Sequence, residues 1–289
     1  MAKKHKMLKP TIAEIYHAIE KNASDWRRDH LGCSGLGREC ERQIWYNWRW
    51  YAKPQFDGRI FRLFRRGHLE EEQLELDLVA AGITVSTGPS KGEQWRASAL
   101  WGHLGGSMDF ALLGLPEMPG IWHLGEAKTH NKKSFDELEK KGVQKSKPVH
   151  YAQTIIYMEL FGLTYAAYLA VCKDDDRLYL ERYRADKYYA GELLEKAERI
   201  IRSTDEPARI SDRPDYYLCR WCDFYNVCHG IEKPRKSCRS CRYGKPVLEG
   251  DGGRWSCKQW GRELDSEDQR RACEKYSQTG SPALPILGG

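Results

Sequence analysis

Apolar residues recur at helical spacing over 11–29, with Thr11 as a candidate cap and Glu14 three residues on. A glycine-punctuated turn at 32–37 leads to a second helical stretch at about 39–51. A long helical pattern follows over 59–81 and stops at Gly82, after which Ile83-Thr-Val-Ser opens a strand region. Between 93 and 129 the pattern shortens, and 94–100, 104–113 and 121–129 read as strands separated by Gly and Pro turns. Helix returns at 147–161, strands at 165–172 and 178–183, and helix again at 186–203. This order predicts an α/β sandwich with a mixed sheet. Beyond Pro214 the chain is short, cysteine-rich and loop-like. It is too small for an apolar core of its own, so metal is expected to stabilise it. Two units follow: a main domain over 1–230 and a small tail over 231–289 that the main domain should not need.

A chain of 289 residues can bury one large core with room for an appendage. No run of about 18 apolar residues offers a membrane span. The basic start, Met1-Ala-Lys-Lys-His-Lys, leads into an amphipathic stretch and not an apolar signal segment, so a cytoplasmic protein is expected. In that compartment ten cysteines are not expected to form disulfides, and their spacing points to metal. Cys219-x2-Cys222-x5-Cys228 is one group; Cys238-x2-Cys241, Cys257 and Cys273 form another. Cys33 and Cys40 lie upstream, and Cys172 ends an apolar run as a small core residue.

Four short patterns carry candidate chemistry. Gly125-Glu-Ala-Lys128 ends a predicted strand, where residues two apart project from one face, so Glu126 and Lys128 stand together. Gly106-Ser-Met-Asp109, on the preceding strand, adds a second carboxylate. Two carboxylates with phosphate and water are a usual way to hold Mg²⁺. Upstream, Gly67-His-Leu-Glu-Glu71 puts His68 and Glu71 on one helix face. Downstream, Gln153 and Tyr157 share a face by the same geometry. An isolated Glu-x-Lys is common on exposed strands; the four patterns in this order are far more specific.

Together they resemble the RecB-like branch of the PD-(D/E)xK nuclease superfamily, over roughly 33–230. The resemblance implies a restriction-endonuclease-like core, a mixed central sheet flanked by helices, carrying a metal-dependent DNA nuclease. Carried over by motif, Asp109 and Glu126 would bind Mg²⁺ or Mn²⁺ with the carbonyl of Ala127. Lys128 would orient the attacking water. His68 would be a further metal ligand, with Glu71 beside it, and Gln153 and Tyr157 would contact the scissile strand or hold the site. The proline of the family name is absent, since Ser107-Met108 precedes Asp109.

The resemblance also implies a [4Fe–4S] cluster on Cys219, Cys222, Cys228 and one upstream cysteine. Cys40-Glu-Arg42 matches the upstream pattern, Cys33 is the alternative, and a zinc knuckle on the same four cysteines is the rival reading. The cluster would staple the two ends of the core. Cys238, Cys241, Cys257 and Cys273 read as a tetrahedral Zn²⁺ site, with His229 as a competing ligand. The formal charge of +6 would fall to roughly +2 with both metal sites loaded, so local charge matters more than global charge.

Arg62, Arg65 and Arg66 share a helix face before His68, and Trp45, Trp48, Arg49 and Trp50 crowd the preceding helix. Guanidinium forks suit phosphates and indoles suit exposed bases, so Arg62, Arg65, Arg66 and Trp48 are candidate DNA contacts. Arg239, Arg242, Lys245, Arg254 and Lys258, with Trp255 and Trp260, are a second candidate grip or a structural tail. The partner expected is DNA, at ends or single strands, with a recombination or single-strand-binding protein as a further partner and a compact phage-type source. An exonuclease in recombination or repair leads. A structure-specific endonuclease, a nucleic-acid-binding protein without activity and an iron–sulfur regulator are the alternatives.

Overall fold

A computed structural model describes residues 9–23, 27–54, 56–90 and 92–279; the basic start and the final ten residues lie outside the described residues. The helices of the main body are α1 (Pro10–Lys21), α2 (Glu41–Trp48), α3 (Gly58–Ala80), α4 (Lys132–Ser146), α5 (Pro148–Phe161) and α6 (Lys187–Arg202). The central sheet has β2 (Thr84–Ser86), β5 (Phe110–Leu113), β6 (His123–His130), β7 (Tyr165–Cys172) and β8 (Leu178–Arg184), in the order β2-β5-β6-β7-β8. It is mixed: β6 and β7 run parallel, and the other neighbours are antiparallel. Parallel neighbours need a long crossover, and α4 and α5 supply it. The interior strand β7, Tyr-Ala-Ala-Tyr-Leu-Ala-Val-Cys, is buried at every position but its first, as a strand covered on both faces must be. The fold is therefore α/β, a mixed sheet flanked by helices.

Side-chain caps start three of the six main-body helices, α3, α4 and α6. Asp57 accepts the N–H of Ile60 to start α3, and Gly82, at φ 81°, ends it in the left-handed region. Asp186 caps α6 through the N–H of Tyr189. At α1, Pro10 occupies the first turn, so Thr11 is not the cap, and the helix stops at Lys21, short of the expected residue 29.

Two elements depart from the pattern reading. The expected strand over 104–113 is two strands in two sheets. β4 (Leu104–Ser107) pairs with β1 (Leu31–Gly32) and β3 (Arg96–Ala99), while β5 enters the central sheet. Asp109 sits at the junction. Helix α4 was not expected, because only Phe135, Leu138 and Val143 of its fifteen residues are buried and Gly142 breaks its geometry at φ 74°, ψ 171°. Its start carries a signal all the same: the Asn131 side chain accepts the N–H of Ser134.

Beyond residue 230 the chain builds a three-stranded antiparallel sheet, β9 (Gly244–Pro246), β10 (Trp255–Cys257) and β11 (Arg262–Leu264), ordered β11-β10-β9. This corrects the loop-like expectation. Packing also runs straight through the expected boundary. Trp255, fully buried, lies in one apolar cluster with Leu31, Trp45, Trp48 and Leu104. Arg49 donates to the carbonyls of Cys241 and Gly244, and His103 Nε2 lies 3.0 Å from the carbonyl of Val247. No helix among the described residues is long and apolar enough to cross a membrane.

Candidate active site

Strand alternation turns Glu126 and Lys128 toward α5. Glu126 is fully buried. Its Oε1 accepts from Gln153 Nε2 at 2.7 Å and from Lys128 Nζ. Its Oε2, equally buried, has no hydrogen-bond partner among the described residues. Asp109 reaches in from the β4–β5 junction, and its Oδ2 accepts the N–H of Ala127 at 2.9 Å. Register pairs Phe110 with Gly125, so this carboxylate takes over the ladder where β5 no longer reaches. Lys128 also donates to the Ala127 carbonyl at 3.2 Å. From α3, Glu71 is the third carboxylate within electrostatic reach.

Burial, reinforced by the charge of Asp109 and opposed by Lys128, pushes the Glu71 carboxyl up to about 7. Burial likewise pushes Glu126 up to about 8 against the pull of Lys128. Burial works to lower Lys128, but the charges of Glu126 and Asp109 outweigh it and hold the ammonium above its ordinary range. Three carboxylates thus face one ammonium, and protons make up the deficit near neutral pH. Hard oxygen donors, surplus negative charge and an orphaned Oε2 fit Mg²⁺ or Mn²⁺. As the side chains stand, Lys128 is paired with Glu126, and no three His, Cys, Asp or Glu groups among the described residues close tightly enough to cage an ion.

Other expected site residues fall on both sides of this cluster. Gln153 holds Glu126. Tyr157 is buried against β4, where a Cβ at Gly106 would lie 2.2 Å from its hydroxyl, so only glycine allows that approach. His68 is exposed on α3, and it is Glu71, one turn on, that is half-buried beside Asp109. Arg62, Arg65 and Arg66 are exposed, with Arg66 paired to Glu70 at 2.6 Å. Trp48 is not a DNA contact: it is 1% exposed, packed on Trp255 at 5.1 Å and edge-on to His103. Arg239 and Trp255 are equally enclosed and grip no strand, whereas Trp260 is 49% exposed.

The sequence reading missed a buried polar chain behind the cluster. Tyr168 stands opposite Glu126 in the β6–β7 register, and its hydroxyl lies 2.8 Å from His150 Nδ1 and 3.0 Å from His130 Nε2. Ser134 Oγ closes the chain at His130 Nδ1. Burial lowers His130 to about 4 and His150 to about 3, so both rings are neutral at pH 7. The signal was present: His150 precedes Gln153 by three residues on α5, and His130 follows Lys128 by two on β6.

The cysteines sort into two neighbourhoods. Cys40 sits at the N-cap position of α2. Burial raises the Cys219 thiol, with Cys228 and Cys40 adding to it, and raises Cys222 to about 11 with Cys40 and Cys228 contributing. Cys33 lies elsewhere, buried in a turn, pushed up to about 12 by desolvation and close enough to act on Tyr157. Arg42, of the Cys40-Glu-Arg42 motif, fastens α2 to the segment after α6 by donating to the Pro207 carbonyl at 2.6 Å. Further on, Cys238, Cys241, Cys257 and Cys273 all line one cavity of about 240 Å³. His229 packs on Tyr225 at 4.8 Å.

No family model matches the sequence, and no curated protein matches it. Among solved structures, SSO0001 is similar at 15% identity and a TM-score of 0.44, covering 75% of this chain and 93% of the other. An alkaline exonuclease from Laribacter hongkongensis, LHK-Exo, is similar at 16% identity and a TM-score of 0.42, covering 65% and 89%. Its complex with dAMP is similar at 17% and 0.41, with the same coverage. The overlap is too loose to assign fold or chemistry to this chain.

Proposed function

We propose that the chain is a divalent-metal-dependent DNA nuclease, an exonuclease or end-processing enzyme of recombination or repair. The observation that carries this reading is the Glu126 carboxylate, fully buried, with one oxygen pinned by Gln153 and Lys128 and the other without a partner. A buried carboxyl with one unsatisfied oxygen beside Asp109 and Glu71 is costly unless a proton or a cation completes it, and a cation that displaces the proton leaves the oxygens as ligands. Mg²⁺ or Mn²⁺ bound there would lower the pKa of a water and neutralise charge developing on phosphate. Asp109, held by the Ala127 N–H, and Glu126, held by Gln153, supply pre-oriented oxygens, and Glu71 adds a third. With a cation held by these carboxylates, Lys128 would be free of its pairing with Glu126 and could orient the nucleophile and stabilise the phosphoryl oxygens. His68, on the exposed side of α3, is left as an outer metal or phosphate contact. Arg62 and Arg65 on the same helix suit the DNA backbone.

The experiment is cleavage by purified protein with Mg²⁺ or Mn²⁺ of linear duplex, circular duplex and single-stranded DNA side by side. Shortening of linear DNA with circles intact is expected. Cut circles would shift the reading to an endonuclease, and no cleavage of any nucleic acid with either metal would sink it.

A [4Fe–4S] cluster on Cys40, Cys219, Cys222 and Cys228 belongs to the same proposal. It is supported by the nearness of Cys40 and Cys228 to Cys219 and Cys222, whose thiols they help to raise, and by the way α2 is fastened beside them. Anaerobically purified protein should be brown, and Cys222→Ser should bleach it and cost solubility. A colourless protein containing zinc and no iron would contradict the cluster.

A further inference from the structure

We propose that Cys238, Cys241, Cys257 and Cys273 hold one tetrahedral, thiophilic divalent cation of zinc's class, and that this centre is the counter-charge of two buried arginines. Backbone pairing brings the four together from three segments. The turn over 238–244 is tight: Gly244 N–H donates to the Cys241 carbonyl at 3.1 Å. A Cβ on Gly244 would fall 2.0 Å from the Cys238 carbonyl oxygen, so the turn demands glycine. Sheet register sets Cys257 opposite Gly244. The Cys238 N–H donates to the Arg271 carbonyl at 2.7 Å, which draws in the segment carrying Cys273. Trp260 Nε1 points its N–H at Cys273 Sγ at 3.5 Å, a contact suited to a thiolate. All four cysteines line one cavity of about 240 Å³, and as the side chains stand no three of their thiols are at caging distance, so a cation would draw them in.

The second observation lies in the core behind that cavity. Arg49 is fully buried, sandwiched between Trp45 at 5.2 Å and Trp255 at 5.1 Å. One of its nitrogens donates to the Cys241 and Gly244 carbonyls at 3.3 Å each. Its Nε and Nη1 have no partner among the described residues, and no carboxylate pairs with it there. Arg239, 1% exposed, donates to Gln269 and to the carbonyls of Trp48 and Asp29. Its nearest carboxylate is Asp29, 3.9 Å away and 62% exposed. Two guanidinium charges without buried anions are strongly unfavourable in an apolar core. Four thiolates around one divalent cation carry a net charge of about −2, which balances them. Neutral thiols would not.

The test uses the full chain, purified under reducing conditions. Elemental analysis should find one zinc per chain that survives dialysis, and cobalt loaded in its stead should give the visible bands of a tetrahedral thiolate site. Cys273, exposed, is the residue to change: Cys273→Ser should lose zinc at least tenfold more readily to a chelator while keeping any iron. A strong chelator should lower the melting temperature of the wild type by roughly 10 °C or more, and of Arg49→Met by clearly less, because that variant has one charge fewer to balance. No bound zinc-class cation, unchanged retention in Cys273→Ser, or iron lost from Cys273→Ser would each overturn the site. Equal chelator shifts in wild type and Arg49→Met would overturn the counter-charge. The stoichiometry and chelator response of the wild type decide the site even if a variant does not fold.

Discussion

Lys128→Ala should cut DNA slower than the wild type by about 10²–10⁴-fold, the usual worth of one well-aimed electrostatic group at a reacting phosphate. DNA affinity should stay within a few-fold, because one ammonium is a small part of a phosphate-binding surface that includes exposed Arg62 and Arg65. Folding should survive as well. Gln153 still donates to Glu126 Oε1 when Lys128 is gone, and the metal-free carboxyl can keep its proton. Asp109→Ala should also stop cleavage, but by weakening the metal, so raised Mn²⁺ should restore a little activity there and none in Lys128→Ala. Filter-binding and single-turnover cleavage on one labelled duplex separate these outcomes. If Lys128→Ala and Asp109→Ala both cut like the wild type, the site lies elsewhere.

Ending the chain at residue 230 should abolish the cooperative fold, although composition suggests a dispensable tail. The cut would bare Trp48, Arg49, Trp50 and Tyr51, all 1% exposed or less. It would also strip Arg49 of both its carbonyl partners and His103 of its own. A gentler version is Trp255→Ala, which empties the centre of that cluster and should cost about 3–5 kcal/mol. Circular dichroism melts measure both. A fragment over 1–230 melting cooperatively at the full-length temperature would show that the shared core is not needed.

These two expectations mark what the sequence could and could not say. Strand β7 and helix α6 were readable because a strand covered on both faces gives an unbroken apolar run and α6 keeps its apolar stripe at Ala190, Leu193, Ala197, Ile200 and Ile201. Glu126, Lys128, Gln153 and Tyr157 were legible because period 2 in a strand and period 3.6 in a helix fix which side chains travel together. The split of 104–113 was not, since Met108-Asp109 carries no turn signal and the choice between sheets depends on distant partners. Helix α4 hid behind charge and a mid-helix glycine. Trp48 and Arg239 look like nucleic-acid contacts in composition, and only tertiary packing sends them inward. Tyr168 entered the site through strand register, which a sequence alone does not fix.

Calorimetric titration of the metal-free protein with Mn²⁺, at pH 6 and pH 8 and in two buffers, tests the central claim most directly. The folded-state values of Glu71, about 7, and Glu126, about 8, lie above the ordinary 4.5. The stability these protonated carboxyls contribute is fully present below about pH 4.5 and is lost as pH rises through 7 to 8, so the metal-free protein should be weaker at pH 8.5 than at pH 5.5. A cation that replaces those protons should bind more tightly at pH 8 than at pH 6 and release about two protons per chain at pH 6 but fewer than one at pH 8, seen as a heat that varies with the buffer. Asp109→Asn and Glu126→Gln should each weaken it at least tenfold. Mn²⁺ binding that is absent, independent of pH, or indifferent to both substitutions would contradict a catalytic metal centre built on these carboxylates.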